Sequence, residues 1–332
     1  MKVLNNYDGS SINIEKIDQS SNRAYLKLKD ENGKACHYYN FIVENDADID
    51  GTVYILNNNK SIYYSKNSFT PFVYENEKWK KLTKDKYEVT ESFIRFIISP
   101  KSKIELSLAP RYTEVDLIDY CTSNGLKYKN ETLLKVELGN PNKPTIFIVG
   151  RQHPGETLSS FFIEGIINAI LTKKELQENF HFLIYPIVNK KGVKHGNHRY
   201  VDGIDFNRSW NNNNPPEEIT YLKKELHSVE VLNCFIDVHN DELTPNDYIR
   251  MNNPTQDKIA DIQVLEVMSS FRRFVRALIK QRRIINLKQN TAREYVQSRY
   301  TCNSLLVELS MNDEVDSLYK KGENFIKSIC NM

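Results

Sequence analysis

The stretch Thr145-Ile146-Phe147-Ile148-Val149-Gly150-Arg151-Gln152-His153-Pro154-Gly155-Glu156-Thr157 joins an apolar run to a polar turn. Every position of Thr145–Val149 is β-branched or aromatic and the run is too short for a helix, so it predicts a buried strand. Pro154 and Gly155 then turn the chain, and the segment Glu156–Leu171 predicts a helix. This order of strand, turn and helix is typical of an α/β domain with a mostly parallel sheet.

The same alternation of strand-sized and helix-sized segments continues after Pro110. Predicted strands are Leu133–Leu138, Thr145–Val149, Phe180–Val188, Asn233–His239, Asp247–Met251 and Ser304–Ser310. Predicted helices are Thr113–Ser123, Glu156–Leu171, Pro216–Ser228, Asp257–Arg283 and Glu314–Cys330. These segments predict an α/β domain over 113–332, with a mixed, mostly parallel sheet flanked by helices. Ligands of such sheets bind beyond the carboxyl ends of the strands.

The first part of the chain has a different pattern. Short runs rich in Tyr, Phe, Ile and Val recur between turn residues, at Arg23–Leu28, His37–Val43, Thr52–Leu56, Ser61–Tyr64, Ser92–Ile98 and Ile104–Leu108. Their close and regular spacing predicts an all-β, sandwich-like domain over 1–112.

The composition is that of a folded chain with balanced charge. Its 332 residues fit two domains of about 150 residues each. Hydrophobic residues make up 40% and aromatic residues 11%, which excludes a disordered chain. The 45 Lys and Arg residues stand against 43 Asp and Glu residues, and this balance argues against a general nucleic-acid binder.

The sequence also indicates a compartment. The start of the chain has no apolar region followed by a small-residue cleavage site, so we expect no signal peptide. No apolar run reaches the roughly 20 residues of a membrane helix, so we expect no membrane partner. The five cysteines are scattered and form no C-x-x-C pair, a pattern that favours reduced thiols in a cytoplasmic protein.

Two segments fit the metal-binding pattern H-x-x-E. His227 and Glu230 lie in a polar helical segment, where this spacing is common among surface neighbours. His153 and Glu156 instead flank a Pro-Gly turn after a buried strand, which can bring both side chains to one point. We therefore favour His153 and Glu156 as the metal-binding pair.

A catalytic zinc ion takes three protein ligands and leaves one position open for water. The third ligand should come from the end of another strand, and His239 ends the predicted strand Asn233–His239. A partly buried histidine with a structural role is the alternative for His239 alone, but its pairing with His153 and Glu156 favours a ligand. The sequence thus predicts one Zn²⁺ per chain.

Four blocks of sequence resemble, in the same order, the funnelin metallocarboxypeptidases and in particular their cytosolic carboxypeptidase branch. The blocks are Gly150–Thr157, Gly196–Arg199 with Gly203–Trp210, Asp237–His239, and Asn303–Glu308. The first resembles the zinc-binding signature of this family. The branch carries an N-terminal β domain, in agreement with the all-β pattern of 1–112.

The resemblance implies a zinc carboxypeptidase. It implies His153, Glu156 and His239 as zinc ligands, because two imidazoles and a carboxylate hold a Lewis-acidic zinc ion. It implies Glu308 as the general base of the hydrolysis. It also implies Asp205 as the carboxylate that orients a histidine ligand.

Three further residues are implied to contact the substrate. Asn207 and Arg208 match the residues that hold the free terminal carboxylate, a group that an Arg side chain binds through two parallel hydrogen bonds. Arg199 matches the residue that stabilises the oxyanion. These roles would make the protein an exopeptidase that recognises a free C-terminus.

The resemblance also bears on specificity. Arg293 falls where the cytosolic branch has an Arg that meets the departing side chain, and a pocket Arg favours Glu or Asp. Lys190, Lys191 and Lys194 add positive charge near Arg199, and further basic residues lie on the predicted helix Asp257–Arg283. We therefore expect acidic C-terminal residues of peptides or proteins as substrates.

Three alternative functions remain open at this point. An aspartoacylase-like zinc amidohydrolase would use a similar zinc triad on small acyl-amino acids. A cell-wall-peptide carboxypeptidase would share the catalytic residues but require export. An inactive peptide-binding module would keep the metal without hydrolysis. The sequence gives no indication of the oligomeric state.

Overall fold

The structure is a computed structural model, and it describes residues 1–31, 37–57, 70–241, 246–250 and 290–330. The chain divides into two compact units. The β unit comprises Met1–Glu114, Pro154–Thr157 and Lys191–Gly203. The α/β unit comprises Val115–His153, Leu158–Lys190 and Ile204–Met332. The predicted domain boundary after residue 112 stays a prediction.

The β unit is built from two sheets of short strands. The strands are β1 Lys2–Leu4, β2 Asn13–Asp18, β3 Arg23–Lys27, β4 Asn40–Asn45, β5 Gly51–Ile55, β6 Phe72–Glu75, β7 Lys78–Lys81, β8 Tyr87–Val89, β9 Ile94–Ile98 and β10 Ser102–Ser107. One sheet has the order β1-β4-β10-β6-β7 and the other the order β2-β3-β5-β9-β8. Strands β3 and β5 are parallel, and the remaining pairs are antiparallel.

Aromatic side chains join the two sheets of the β unit. The ring of Phe41 on β4 lies 6.1 Å from the ring of Phe96 on β9, and the two meet edge to face. Both residues are fully buried. Strands β5 and β9 bury alternate residues, as expected for strands that cover a core with one face only.

The α/β unit contains one seven-stranded sheet. Its strands are β11 Tyr128–Asn130, β12 Leu134–Gly139, β13 Thr145–Gly150, β14 His181–Tyr185, β15 Leu232–Asp241, β16 Tyr248–Arg250 and β17 Asn303–Ser310. Their order is β11-β12-β14-β13-β15-β17-β16. The four strands β14, β13, β15 and β17 are parallel, and the strands outside them are antiparallel. The parallel centre places the carboxyl ends of β13, β15 and β17 at one edge.

Helices flank this sheet. They are α1 Glu114–Ser123, α2 Leu158–Thr172, α3 Lys174–Asn179, α5 Glu217–His227, α6 Ala292–Gln297 and α7 Val315–Cys330, with a 3₁₀ turn at Phe206–Arg208. The short helix α4 Lys190–Lys194 lies mostly in the segment Lys191–Gly203 of the β unit, which also contains the 3₁₀ turn Lys84–Lys86. Helices α2 and α7 pack closely because Gly165 and Gly322 sit at the crossing. A β-carbon at Gly165 would collide with the backbone of Tyr319, and one at Gly322 with the backbone of Phe162. None of the helices in the described ranges is long and apolar enough to cross a membrane.

The predicted fold class is confirmed. The structure combines a strand-rich N-terminal region with a mixed sheet flanked by helices. Helix α2 begins at Leu158, two residues after the predicted start, because Pro154–Thr157 form a turn in which the Thr157 N–H donates to the Gly155 carbonyl. The predicted strand Ser61–Tyr64 and the predicted helix Asp257–Arg283 lie outside the described residues.

Candidate metal centre and substrate site

The buried strand β13 leads into the turn that carries the first two candidate ligands. The chain leaves the strand at Arg151, which has a φ of 55° in the left-handed region. That conformation is unfavourable for a residue with a β-carbon. The Arg151 guanidinium donates to the Ser160 hydroxyl at 2.9 Å, which anchors its buried side chain. The abrupt exit from the strand directs His153, rather than more apolar residues, to the edge of the sheet.

Three side chains meet at this edge. His153, Glu156 and His239 each offer a ligand atom, and these atoms lie within 4.8 Å of one another. The three residues are 4%, 5% and 2% exposed, respectively. Two imidazoles and one carboxylate form a donor set found in catalytic zinc sites, and three protein ligands leave a position open. The chemistry of the cluster therefore fits the zinc ion that the sequence predicts.

A carboxylate lies behind each of the two imidazoles. His153 Nε2 is 3.0 Å from Asp205 Oδ1, and His239 Nε2 is 3.0 Å from Asp237 Oδ1. An ionised carboxylate only accepts, so each Nε2 carries the hydrogen and each Nδ1 keeps its lone pair. Carboxylate–histidine pairs of this kind orient metal ligands and raise their basicity.

The position of Asp237 is itself fixed by a chain of hydrogen bonds. The indole N–H of Trp210 donates to Gln152 Oε1 at 2.7 Å. Gln152 Nε2 in turn donates to Asp237 Oδ1 at 2.7 Å. All three side chains are fully buried. Sequence analysis assigned no role to Asp237 or Gln152. Asp237 and His239 are two residues apart on one strand, so both project to the same face of the sheet. This spacing is the sequence signal from which a contact between Asp237 and His239 could have been predicted.

Asn207 lies beside the second imidazole. Its Oδ1 accepts from the backbone N–H of Ala292 at 3.0 Å, and its Nδ2 is 3.0 Å from His239 Nε2. The charge-assisted bond to Asp237 is the stronger of the two contacts at His239 Nε2, so we place the hydrogen there. The neighbouring Arg208 donates from Nη1 to the Asn207 carbonyl at 3.0 Å. The 3₁₀ turn Phe206–Arg208 thus brings the amide of Asn207 to the metal-binding cluster.

Glu308 lies in the same row of the sheet as the cluster. The register pairs Glu308 on β17 with His239 on β15 and with Tyr248 on β16. Residues paired across neighbouring strands project to the same face. Glu308 is half-buried. Its carboxylate is therefore on the face of the sheet that carries His239.

Tyr248 is a further residue of this row that sequence analysis missed. Burial raises the pKa of Tyr248, and the nearby carboxylates of Glu308 and Asp241 raise it further. Its phenol therefore stays protonated and can donate a hydrogen bond beside Glu308.

Arg293 is a half-buried cation near the same strands. It lies at the start of α6, whose first turn is closed by a capping box between Thr291 and Glu294. Burial lowers the pKa of Arg293, and the positive charge of Arg250 lowers it further. The carboxylate of Asp237 acts in the opposite direction. Two arginines therefore lie within electrostatic reach of each other and of Asp237.

Arg199 belongs to the β unit, in the segment Lys191–Gly203. Its positive charge is close enough to His37 to act on that histidine. Burial lowers the pKa of His37 from 6.5 to about 4, and Arg199 contributes in the same direction. The His37 ring also meets the His198 ring edge to face, with centroids 4.8 Å apart.

We expect the neutral form of His37 to make the stability depend on pH. Between about pH 4 and pH 6.5 the unfolded chain binds a proton that folded His37 does not, so stability falls as the pH falls through this window. Above pH 6.5 the contribution vanishes. Urea unfolding gives the free energy of unfolding at about pH 7.5 and at about pH 5. Between these two pH values, the wild type should lose more of this free energy than His37→Gln. The exposed-residue control His227→Gln should follow the wild type, and equal losses in wild type and His37→Gln would contradict this assignment.

One of the lysines near Arg199 is neutralised by a carboxylate. Lys191 pairs with Asp202 at 2.6 Å, whereas Lys190 donates to the neutral side chain of Asn130 at 3.0 Å and keeps its charge. An exposed ion pair of this kind contributes little to stability. The Lys191–Asp202 pair does reduce the positive charge expected at this segment, and the basic residues of the predicted helix Asp257–Arg283 lie outside the described residues.

A family model described as zinc carboxypeptidase matches residues 122–221. Residues 122–221 of the chain are therefore similar to the zinc carboxypeptidase family. The matched segment includes His153, Glu156 and Asp205 and ends before His239 and Glu308. The description of the matched family names zinc, and the cluster of two histidines and a glutamate offers donors that fit this ion.

Several relatives that match part of the chain are named cytosolic carboxypeptidases. The chain is 39% identical over 107 residues to cytosolic carboxypeptidase 6 of Mus musculus, covering 31% of this chain and 18% of the relative. It is 40% identical over 79 residues to cytosolic carboxypeptidase 1 of Gallus gallus, covering 22% of this chain and 6% of the relative. The matches thus span less than a fifth of the relatives' own lengths.

Solved structures share the fold over nearly the whole chain. A metallo-carboxypeptidase from Pseudomonas aeruginosa, in complex with (2-guanidinoethylmercapto)succinic acid, has a TM-score of 0.84 at 17% identity and covers 100% of this chain and 98% of its own. A metallo-carboxypeptidase from Burkholderia cenocepacia has a TM-score of 0.84 at 17% identity and covers 99% and 98%. At these identities the likeness shows the fold alone, for both the α/β unit and the strand-rich region.

Proposed function

We propose that this protein is a zinc metallocarboxypeptidase that hydrolyses the C-terminal peptide bond of peptides or proteins and prefers acidic C-terminal residues. One observation carries the proposal. The cluster of His153, Glu156 and His239 offers a zinc donor set, and the carboxylate of Glu308 lies in register with one of its histidines. The arrangement supplies both a metal site and a general base.

The residues of the cluster divide the chemistry between them. Zn²⁺ held by His153, Glu156 and His239 would polarise the scissile carbonyl and lower the pKa of a water molecule. Glu308 accepts the proton of the attacking water and passes it to the leaving amine. Asp205 and Asp237 contact the two imidazoles at Nε2, so they would leave Nδ1 of each ring available to hold the ion.

Recognition of the chain end is assigned to polar residues around the cluster. Asn207 and Arg208 bind the terminal carboxylate, which a free C-terminus carries and an internal peptide bond lacks. Arg199 stabilises the negative charge that develops on the carbonyl oxygen. The placement of Asn207 next to His239 supports this proposal, because the terminal carboxylate must lie close to the scissile bond.

One experiment distinguishes the proposed peptidase activity from that of a small-molecule amidohydrolase. The experiment offers three substrates: a peptide ending in Glu, the same peptide with an amidated C-terminus, and acetyl-aspartate. We expect loss of one residue from the first and no reaction with the other two. Release of acetate without trimming would instead favour the aspartoacylase-like alternative. Zinc binding with no reaction at all would favour an inactive peptide-binding module.

Arg293 is proposed to select acidic side chains. Burial and the neighbouring Arg250 lower the pKa of Arg293, so a negatively charged partner would relieve an unfavourable accumulation of positive charge. Arg293→Ala should lower the ratio of kcat/KM for peptides ending in Glu over peptides ending in Leu by at least about tenfold. The measurement is a competition assay with both peptides in one reaction.

The control for Arg293→Ala is Arg299→Ala. Arg299 follows α6 and is exposed, where it donates to the Tyr295 carbonyl and stacks on the ring of that residue. It should leave the Glu over Leu ratio unchanged. A ratio that is equal in wild type and Arg293→Ala would refute the acidic preference while leaving the carboxypeptidase activity standing.

Domain organisation, stoichiometry and location complete the proposal. We infer a β domain over 1–112 and a catalytic domain over 113–332, with one zinc ion per chain. The partner is the C-terminus of a peptide or protein, rather than nucleic acid or a membrane. The names of the relatives support a cytoplasmic location.

A further inference from the structure

A buried carboxylate of the β unit binds the backbone of the segment that carries Arg199. Glu31 is 6% exposed. It accepts three backbone N–H groups, from His198, from Arg199 at 3.1 Å and from Tyr200 at 2.9 Å. Consecutive backbone N–H groups that converge on one anion form a concave nest, whose conformation depends on the charge at its centre.

Lys29, two residues before Glu31, binds the same segment nearer its N-terminal end. Lys29 Nζ donates to the His195 carbonyl at 2.8 Å and to the Ser10 carbonyl at 2.8 Å. The Lys29 cation contacts backbone carbonyls and the Glu31 anion contacts backbone N–H groups, so each charge is complementary to the backbone groups that it contacts. This segment of the β unit therefore fixes the backbone on both sides of residues 196 and 197.

The same nest is linked to the turn that carries Glu156. The Gly155 N–H donates to the His198 carbonyl at 2.8 Å. A β-carbon at Gly155 would lie 2.9 Å from that carbonyl oxygen, so only glycine permits the approach. Displacement of His198 would therefore also displace the turn next to Glu156.

We propose that Glu31 is a positioning residue for catalysis. Its carboxylate holds the backbone at residues 198–200 so that the Arg199 guanidinium and, through Gly155, the Glu156 carboxylate stay in place. The inference rests on the proposed function, because it takes Arg199 as the oxyanion-stabilising residue and Glu156 as a metal ligand. It gives the N-terminal β region a part in the reaction in addition to its own folding.

The first test is the kinetic effect of Glu31→Gln at saturating zinc. The amide keeps the size of the side chain but loses the charge and turns an N–H₂ toward backbone N–H groups. We expect kcat to fall by about 10- to 100-fold, since displacement of a catalytic group by about 1 Å costs this much, while KM changes by less than about twofold. Glu31→Asp keeps the charge on a shorter side chain and should fall between wild type and Glu31→Gln.

The control for buried charge is Glu105→Gln. Glu105 is 7% exposed in the same unit, and it accepts from Asn40 and from Arg111, each at 2.8 Å. This variant should lose as much thermal stability as Glu31→Gln yet keep kcat within about twofold of wild type. A loss of kcat that follows melting temperature equally in both variants would show a structural role only and overturn the proposal.

A double-mutant cycle separates the route through Arg199 from the route through Gly155. If Glu31 acts through Arg199, Glu31→Gln should lower kcat by a smaller factor in an Arg199→Ala background than in the wild type. Effects that multiply fully in the double variant, together with an unchanged zinc affinity of Glu31→Gln, would overturn the proposal, because neither route would then operate.

Hydrogen exchange tests the nest without any activity. Amide protection at residues 198–200 should fall in Glu31→Gln and stay unchanged in Glu105→Gln. Unchanged protection at these residues would overturn the inference whatever the kinetics show. If the wild type hydrolyses no peptide and Glu31→Gln still loses protection at these residues, the nest is upheld and only the proposed function is refuted.

Discussion

Glu308→Gln is expected to lower kcat by about a thousandfold while the protein keeps its zinc ion. The amide fits the space of the carboxylate but cannot accept a proton from the attacking water. Glu308 lies on the strand next to His239 and is not a member of the ligand cluster, so the metal site should remain intact. Discontinuous assays with a peptide ending in Glu would measure kcat, and metal analysis of the same samples would measure the zinc content.

The control for this variant is Glu314→Gln. Glu314 follows β17 and is exposed, so the change removes a similar charge near the same strand end without touching the cluster. It should retain wild-type turnover. If Glu308→Gln retained more than about a tenth of the wild-type kcat, the general base would have to be another group.

His239→Ala is expected to abolish both zinc binding and activity. The change removes one of the three proposed ligands, and its effect should exceed the roughly 10- to 100-fold loss of affinity that follows removal of an outer partner of a metal ligand. Because His239 is 2% exposed, the substitution also leaves a cavity, so the folded fraction should be measured by circular dichroism. Metal content and kcat should fall together.

The matched control for this variant is His227→Ala. His227 belongs to the other H-x-x-E segment and is exposed at the end of α5. Its removal should leave one zinc ion per chain and full activity. Full zinc occupancy in a folded His239→Ala protein would contradict the ligand set.

Asp205 and Asp237 differ in how they are held. Each lies 3.0 Å from one imidazole, but Asp237 is also fixed by Gln152 and Trp210. The Asp237 side chain is fully buried, whereas the Asp205 side chain is 9% exposed. We propose that both carboxylates support the metal ligands indirectly.

The core of the α/β unit could be predicted from the sequence because its elements are strongly patterned. Strand β13 is apolar throughout, and the predicted bounds of β15 and β17 differ from the observed ones by two residues at most. Short elements at the edges of the sheets were missed. Strands such as β11 and β7 bury few residues, so no apolar pattern marks them.

The candidate ligands could be proposed for a similar reason. The carboxyl ends of parallel strands lie at one edge of a sheet, and His153 and His239 follow or end two such strands. The register then brings Glu308 beside His239. Their catalytic roles remain proposals, but their proximity follows from the fold that the sequence predicts.

The contacts of Glu31 could not be predicted in this way. Its partners lie more than 160 residues away, in a segment without a regular pattern. Backbone N–H groups have no sequence signature, so the anion that they bind is visible only in three dimensions. Gln152 is similar, since its amide is oriented by Trp210 and acts on Asp237.

The most direct test of a zinc-dependent carboxypeptidase is mass spectrometry of a peptide ending in Glu, incubated with protein whose zinc content has been set by chelation and stepwise return of Zn²⁺. We predict loss of the last residue only, at a rate that rises in proportion to zinc and reaches its limit at one ion per chain. The apoprotein should be inactive. Trimming by the metal-free protein, or a protein with one zinc ion per chain that trims no peptide of a panel varied at the last residue, would contradict the account.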